Sequence, residues 1–213
     1  MKAKVEIDAL FLTINLKGTR PSKIPRASKK RESGSSKRGI SDHKVCIISA
    51  VDEFDQMFFD VCGLGPESKD EIESCLSYFK VEEKPSLLVS DMKQGYRLIA
   101  ERTNRVHDEL KSTTYVSQKG NTLSTISQLH SEIRTLLRRY RGVSTKHLQG
   151  YLDFFILYKA MKYKHETNSQ RSKDSLLTVL KEKFYIPSYK ISKKEWPISL
   201  QQAYGDYHFG VFV

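Results

Sequence analysis

The 213-residue chain predicts an α/β fold in which helices flank a mixed sheet. Three observations carry that expectation. Short apolar runs stand at 4–12, 44–51, 57–62, 86–91 and 105–110, with turn or loop residues near their ends. Helical periodicity follows them over 66–79, 93–103, 123–140 and 144–161. A basic segment at 17–40 breaks the pattern after the first run.

Taken in order, residues 4–12 read KVEIDALFL. A strand there places Val5, Ile7, Ala9 and Phe11 on one face and Lys4, Glu6, Asp8 and Leu10 on the other. Between 17 and 40 stand nine Lys/Arg against one acid, Glu32. Pro21, Pro25 and a Gly/Ser cluster forbid a regular element, so a mobile basic loop is expected, serving DNA or simply solubility. KVCIISAV (44–51) and MFFDVC (57–62) form a hairpin of strands, with Asp52 and Glu53 between them. Pro66 and Glu67 open a helix to about Phe79, with Ile72, Leu76 and Phe79 on one face. Beyond Pro85, Ser86–Asp91 is a short buried strand that closes on a carboxylate. A helix, a strand and a polar loop at 113–122 lead to two amphipathic helices joined at Arg141-Gly142-Val143-Ser144. Three strands, helix, strand, helix, strand, helices is the order of a ribonuclease H-like fold, here with a basic loop inserted after the first strand. That fold is expected over 1–163, with 164–213 an extension of unknown role.

A formal net charge of +11 favours a polyanionic partner, most commonly nucleic acid. Cys46, Cys62 and Cys75 lie far apart without a C-x-x-C pair, so they read as incidental thiols in a reducing compartment. No apolar run approaches a membrane span, and the first residues enter a strand pattern rather than a signal peptide. The expected location is cytoplasmic and nucleoid-associated, with no membrane partner.

The densest signal is LHSEIRTLLRRYRGVSTKHLQGYLDFF, from Leu129 to Phe155. Leucine or isoleucine recurs at 126, 129, 133, 136 and 137, while Arg134, Arg138, Arg139, Arg141 and Lys146 form a basic stripe. This stretch resembles the end of the catalytic domain of ISXO2-like (IS1595-family) insertion-sequence transposases. There a His-Ser pair, a basic helix and a GVSTK-L--YL segment follow one another in this order. The resemblance implies a DDE-type enzyme that transposes DNA by cleavage and transfer of strands, with two Mg²⁺ ions about 4 Å apart held by acidic residues.

Asp8 and Asp91 match the family's first two metal-binding aspartates. Asp8 stands in Val5-Glu6-Ile7-Asp8-Ala9-Leu10, with Ala9 where the family has a further acid. Asp91 stands in Ser90-Asp91-Met92-Lys93-Gln94-Gly95-Tyr96, which keeps the Ser-Asp pair and the later tyrosine. Taken without the resemblance, Asp8 could be merely solvated and Asp91 an N-cap. The family's third acid or asparagine, three residues before the histidine, is Ser127 here, a degenerate third position. Glu132 and Asn121 are weak substitutes for it. His130 is expected to assist at the scissile phosphate or a metal-bound water, or else to be structural. Arg134 replaces the family's lysine with its charge kept. Arg134, Arg138, Arg139, Arg141 and Lys146, with Lys29, Lys30 and Arg31 of the basic loop, are the candidate DNA contacts. The implied partners are transposon ends and target DNA, with a homodimer or higher oligomer on DNA as the assembly to test.

Family members carry a zinc-ribbon or helix-turn-helix region upstream, whereas Asp8 stands eight residues from the start. That expectation, with Ser127, raises a second reading: a truncated, inactive remnant that binds DNA without regard to sequence.

Overall fold

A computed structural model describes residues 1–18, 40–111 and 116–164, the last four as backbone only. All but the ends of the basic loop, Lys29, Lys30 and Arg31 included, and nearly all of the 164–213 extension lie outside the described residues.

Five strands form one sheet: β1 (Val5–Thr13), β2 (Lys44–Asp52), β3 (Met57–Leu64), β4 (Ser86–Asp91) and β5 (Arg105–Leu110). Their spatial order is β3-β2-β1-β4-β5. The first three strands are antiparallel, whereas β4 and β5 run parallel to β1. Antiparallel neighbours need only a hairpin, but each parallel strand needs a crossover. Helices α1 (Lys69–Ser74) and α2 (Gln94–Arg102) supply those crossovers, and α3 (Ser124–Arg139) and α4 (Leu148–Lys164) follow. This mixed sheet with four α-helices is compatible with a ribonuclease H-like fold.

β1 has a helix layer on each face, which is why both of its alternating sets are apolar or buried. Val5 and Ile7 join Ile48, Leu88, Tyr96 and Ile99 in the core beneath α1 and α2. Leu10 joins Ile47, Ile126, Ile133 and Leu152 beneath α3 and α4. The β2–β3 turn is built by Asp52, whose Oδ1 accepts the amides of Phe54 (3.0 Å) and Gln56 (2.9 Å). Gln149 of α4 covers the edge strand β3, accepting from Val61 N (3.0 Å) and donating to Phe59 O (2.8 Å).

The sequence expectation of a helix running from Pro66 to Phe79 is shortened. Ser68 caps α1 in a reciprocal capping box with Glu71, and the helix then tightens into a 3-10 turn at Cys75–Tyr78. Glu67 is thereby left just outside the helix.

Two devices set α3 on the sheet. No side chain of its own caps it at Leu123. Instead Glu6 of β1, buried, accepts from Ile126 N (3.0 Å) and Thr125 Oγ1 (2.9 Å). This places a carboxylate on the positive end of the helix. At the other end, Arg141 and Gly142 adopt left-handed backbone, with φ of 53° and 88°. A Cβ on Gly142 would meet Asn15 Nδ2 at 2.5 Å. Asn15 in turn exchanges two hydrogen bonds of 2.9 Å with the buried Thr145. Lys17 Nζ donates to Tyr140 O and Gly142 O, both at 3.0 Å, where helix carbonyls lack partners. The Gly-Val-Ser-Thr segment is therefore a clamp between the end of β1 and the α3–α4 turn.

Glu6→Ala removes both bonds at the start of α3 and is expected to cost about 2 kcal/mol in urea unfolding. Gly142→Ala is expected to cost about as much, roughly 2 kcal/mol, through left-handed strain and the clash with Asn15. A loss under a few tenths of a kcal/mol in either variant would show that the corresponding end of α3 is held by something else.

Candidate active site on the β1–β4 seam

Asp8 and Asp91 lie on adjacent parallel strands. Val5 pairs with Leu88 and Glu6 with Val89, and carrying that register two residues beyond the Glu6–Val89 pair sets Asp8 beside Asp91. Their side chains are 31% and 35% exposed, so both reach solvent from largely covered positions. Asp8 is pushed up to about 6, chiefly by burial, with the charges of Asp91 and Glu67 adding to it. Burial raises Asp91 as well, against the attraction of Lys93. Crowded, partly desolvated carboxylates of this kind are what a bound cation relieves. Asp91 does not provide the N-cap of α2, which is Lys93, but its Oδ1 accepts the Lys93 amide at 3.3 Å.

His130 of α3 is buried over Asp8. Its Nε2 lies 2.6 Å from Ser49 Oγ, and that hydroxyl donates to Asp8 O at 2.8 Å. Ser49 has one hydrogen to give, so Nε2 carries the ring proton and donates to Ser49. The lone pair on Nδ1 then faces Asp8 Oδ2, 3.8 Å away. Burial, and next Arg134 one turn along, lowers the imidazole to about 4, so this contact is no ion pair at neutral pH. A neutral nitrogen and a carboxylate oxygen converge on one small space.

A similar relay backs Asp91. The buried Ser90 donates to Asp91 O at 2.8 Å and lies 2.6 Å from His107 Nε2. His107 Nδ1 stands 3.1 Å from Glu109 Oε1, and Arg97 grips both oxygens of that carboxylate. Each aspartate thus has its own carbonyl held by a buried serine. The serine of the Ser-Asp pair has a structural role that its sequence context did not disclose.

No carboxylate comes from the third expected position. Ser127 is exposed in the first turn of α3. Glu132, a weak substitute in sequence, is tied to Lys159 Nζ of α4 at 2.9 Å. Asn121, the other, accepts from Lys4 Nζ at 2.9 Å and donates to Asp108 Oδ2 at 2.7 Å. A different acid stands near the seam instead. Glu67 has a fully buried side chain, and its Oε1 contacts Lys93 Nζ and accepts from Tyr96 OH at 3.2 Å. The capping box Ser68…Glu71 was legible in the sequence and would have placed Glu67 outside α1. Nothing local marked it as buried beside Asp91.

The basic residues divide. Arg134 and Arg138 line a cavity of about 370 Å³ with Leu12, Asn15, Gly142 and Thr145. Arg139 and Arg141 are exposed, while Lys146 is partly covered and burial lowers its ammonium. Elsewhere the fold gathers Cys62, Cys75 and Asp60, whose ligand atoms all lie within 4.8 Å, although the two cysteines are distant in sequence. Hydrogen bonding to Cys75 and burial push the Cys62 thiol up. Two soft sulfurs beside one carboxylate suit a soft metal, so the oxygen-rich β1–β4 seam is the better candidate for a hard cation.

Asp8 and His130 oppose one another in acid. Asp8 binds its proton more tightly folded than unfolded, so its contribution makes the fold more stable as pH falls from about 6 towards 3.8. His130 resists protonation in the fold, so its contribution is lost as pH falls from 6.5 towards about 4. In Asp8→Asn only the histidine effect remains of the two. Unfolding free energy measured by urea titration should then decline more steeply between pH 6.5 and about 4 than in the unaltered protein. Parallel profiles for the two proteins would contradict this assignment.

Comparison with known proteins gives one family. A family model described as an ISXO2-like transposase domain matches residues 2–159. No curated protein and no solved structure matches the chain.

Proposed function

The chain belongs to the ISXO2-like transposase domain family, and on that premise we propose that it is a DDE-type transposase domain of ribonuclease H-like fold acting on DNA strands. The observation that carries the proposal is the seam itself: Asp8 and Asp91 on adjacent parallel strands with the charge of Asp91 acting on Asp8, and the His130 Nδ1 lone pair turned to Asp8. The donors fit a divalent cation, because two carboxylates and a neutral imidazole converge there and the buried Oε2 of nearby Glu67 has no hydrogen-bond partner among the described residues. Asp8, Asp91 and His130 would hold it. When bound, Mg²⁺ or Mn²⁺ supplies the charge that activates an attacking oxygen and stabilises the leaving one.

The chain's own groups do the rest. Ser49 fixes the imidazole with its Nε2 proton turned away from Asp8, leaving Nδ1 free to act as ligand or acceptor. Ser90 and Ser49 hold the backbone of the two aspartates, so the carboxylates are presented on rigid strands. Arg134 and Arg138 would bind phosphates along the groove beside α3, positioning DNA without reading its bases. The reaction is in-line attack on a backbone phosphorus by the oxygen of water or of a strand's 3′ hydroxyl, which gives its proton to solvent. One P–O bond forms as the old one to the 3′ oxygen breaks, and that oxygen takes up a proton and leaves as a hydroxyl.

Ser127 favours a second reading, a domain that binds DNA without cutting it, because α3 offers no acid at its first turn. The two readings separate on labelled oligonucleotides with Mg²⁺ or Mn²⁺. The enzyme reading expects nicking or joining that Asp8→Asn and Asp91→Asn each reduce at least about a hundredfold, by loss of electrostatic stabilisation. Arg134→Ala should weaken binding to all sequences alike and reduce the salt slope by about 1. Salt-sensitive binding that survives both aspartate changes, with no strand cleaved by any variant or by the Ser127→Glu protein, would establish the binding domain instead.

A further inference from the structure

We propose that Glu67 is the third carboxylate of the Asp8–Asp91 site, and that the Lys93 ammonium is the counter-ion which a divalent cation displaces there. The inference rests on the transposase reading of that site and assigns the missing acid to the opposite side of the seam from α3.

Glu67 lies just before the cap of α1, and its side chain is 0% exposed. A carboxylate so covered needs partners on both oxygens. Oε1 has two, Tyr96 OH and Lys93 Nζ. Oε2 is buried and, among the described residues, has none. A buried oxygen left in that condition is costly and points to a ligand that completes it.

Lys93 is placed as a substitute cation would be. Its Nζ touches Glu67 Oε1, lies 3.8 Å from Asp91 Oδ2 and sits 5.9 Å from the centre of the Phe11 ring. One ammonium therefore joins carboxylates from two different elements. The lysine side chain is 36% exposed, so its flexible stem can carry the charge out to solvent while the core stays closed. Tyr96 would keep its hold on Glu67 when the lysine leaves.

The charge balance agrees. Among the described residues, three carboxylates, Asp8, Asp91 and Glu67, face one lysine, and His130 is neutral. Glu67 adds to the upward push on both aspartates, so its field reaches them. A single monovalent group leaves the cluster underneutralised, whereas a hard divalent cation suits oxygen donors of this kind.

The test uses the full chain without DNA, with Mn²⁺ alone titrated calorimetrically. Lys93→Met removes the competing ammonium and should bind Mn²⁺ about tenfold more tightly than the unaltered protein. Adding Glu67→Gln to Lys93→Met should erase that gain and leave binding weaker than in the unaltered protein. A double variant that binds as tightly as Lys93→Met overturns the proposal, because Glu67 would then be only the lysine's partner. Lys93→Gln, which keeps a donor for Glu67, serves in the same series if Lys93→Met does not fold. Asp8→Asn separates the two levels. Loss of Mn²⁺ binding in Asp8→Asn with none in the double variant leaves the site reading standing and removes Glu67 from it. Binding undiminished in Asp8→Asn defeats the transposase reading of the seam itself.

Discussion

The site depends on the grip of Glu6 on the first turn of α3. Glu6 and Asp8 stand two apart on β1 and so face the same side of the sheet. Ile126, whose amide Glu6 holds, and His130, which covers Asp8, stand four apart on α3. Two strand residues advance about 7 Å and four helical residues about 6 Å. The strides nearly match, so pinning Ile126 to Glu6 delivers His130 to Asp8. The buried carboxylate replaces the side-chain cap that α3 lacks, and it fixes the helix in rotation as well as along its length.

Around that anchor the seam is stiff in backbone and open in charge. Ser49 and Ser90 bind the carbonyls of Asp8 and Asp91, so the aspartates cannot relieve their crowding by shifting their strands. Among the described residues, relief comes from protons or from Lys93, and a bound cation would supply it too. Arg134 adds to this from α3, since its charge helps burial keep His130 unprotonated and its nitrogen available. The basic helix therefore acts on the site electrostatically, quite apart from any contact with phosphates.

Much of the family's wording in this chain turns out to describe scaffolding. Gly142 and Thr145, in the Gly-Val-Ser-Thr segment, close a clamp on Asn15. The serine before Asp91 holds a carbonyl. Helix α4, whose apolar residues are not confined to one face, covers the edge of β3 through Gln149 and fills the core with Leu148, Leu152 and Phe155. A short motif can mark a fold because it solves a packing problem.

The sequence by itself determined the elements and their order, because strand and helix periodicity and turn residues act over a few positions. Asp8, Asp91 and His130 were singled out only through the family resemblance that their neighbours in the chain carry. The local pattern misjudged the start of α1, where the Ser68–Glu71 box outweighed Pro66. Only the tertiary structure decided that Glu132 and Asn121 are engaged elsewhere and that Glu67 comes to lie beside Asp91. It also decided which nitrogen of His130 bears the proton. These depend on pairings across tens of residues, namely the β1–β4 register, the α1–α2 packing and one serine hydrogen. Burial and hydrogen-bond supply are properties of that assembled surface, and no local pattern encodes them.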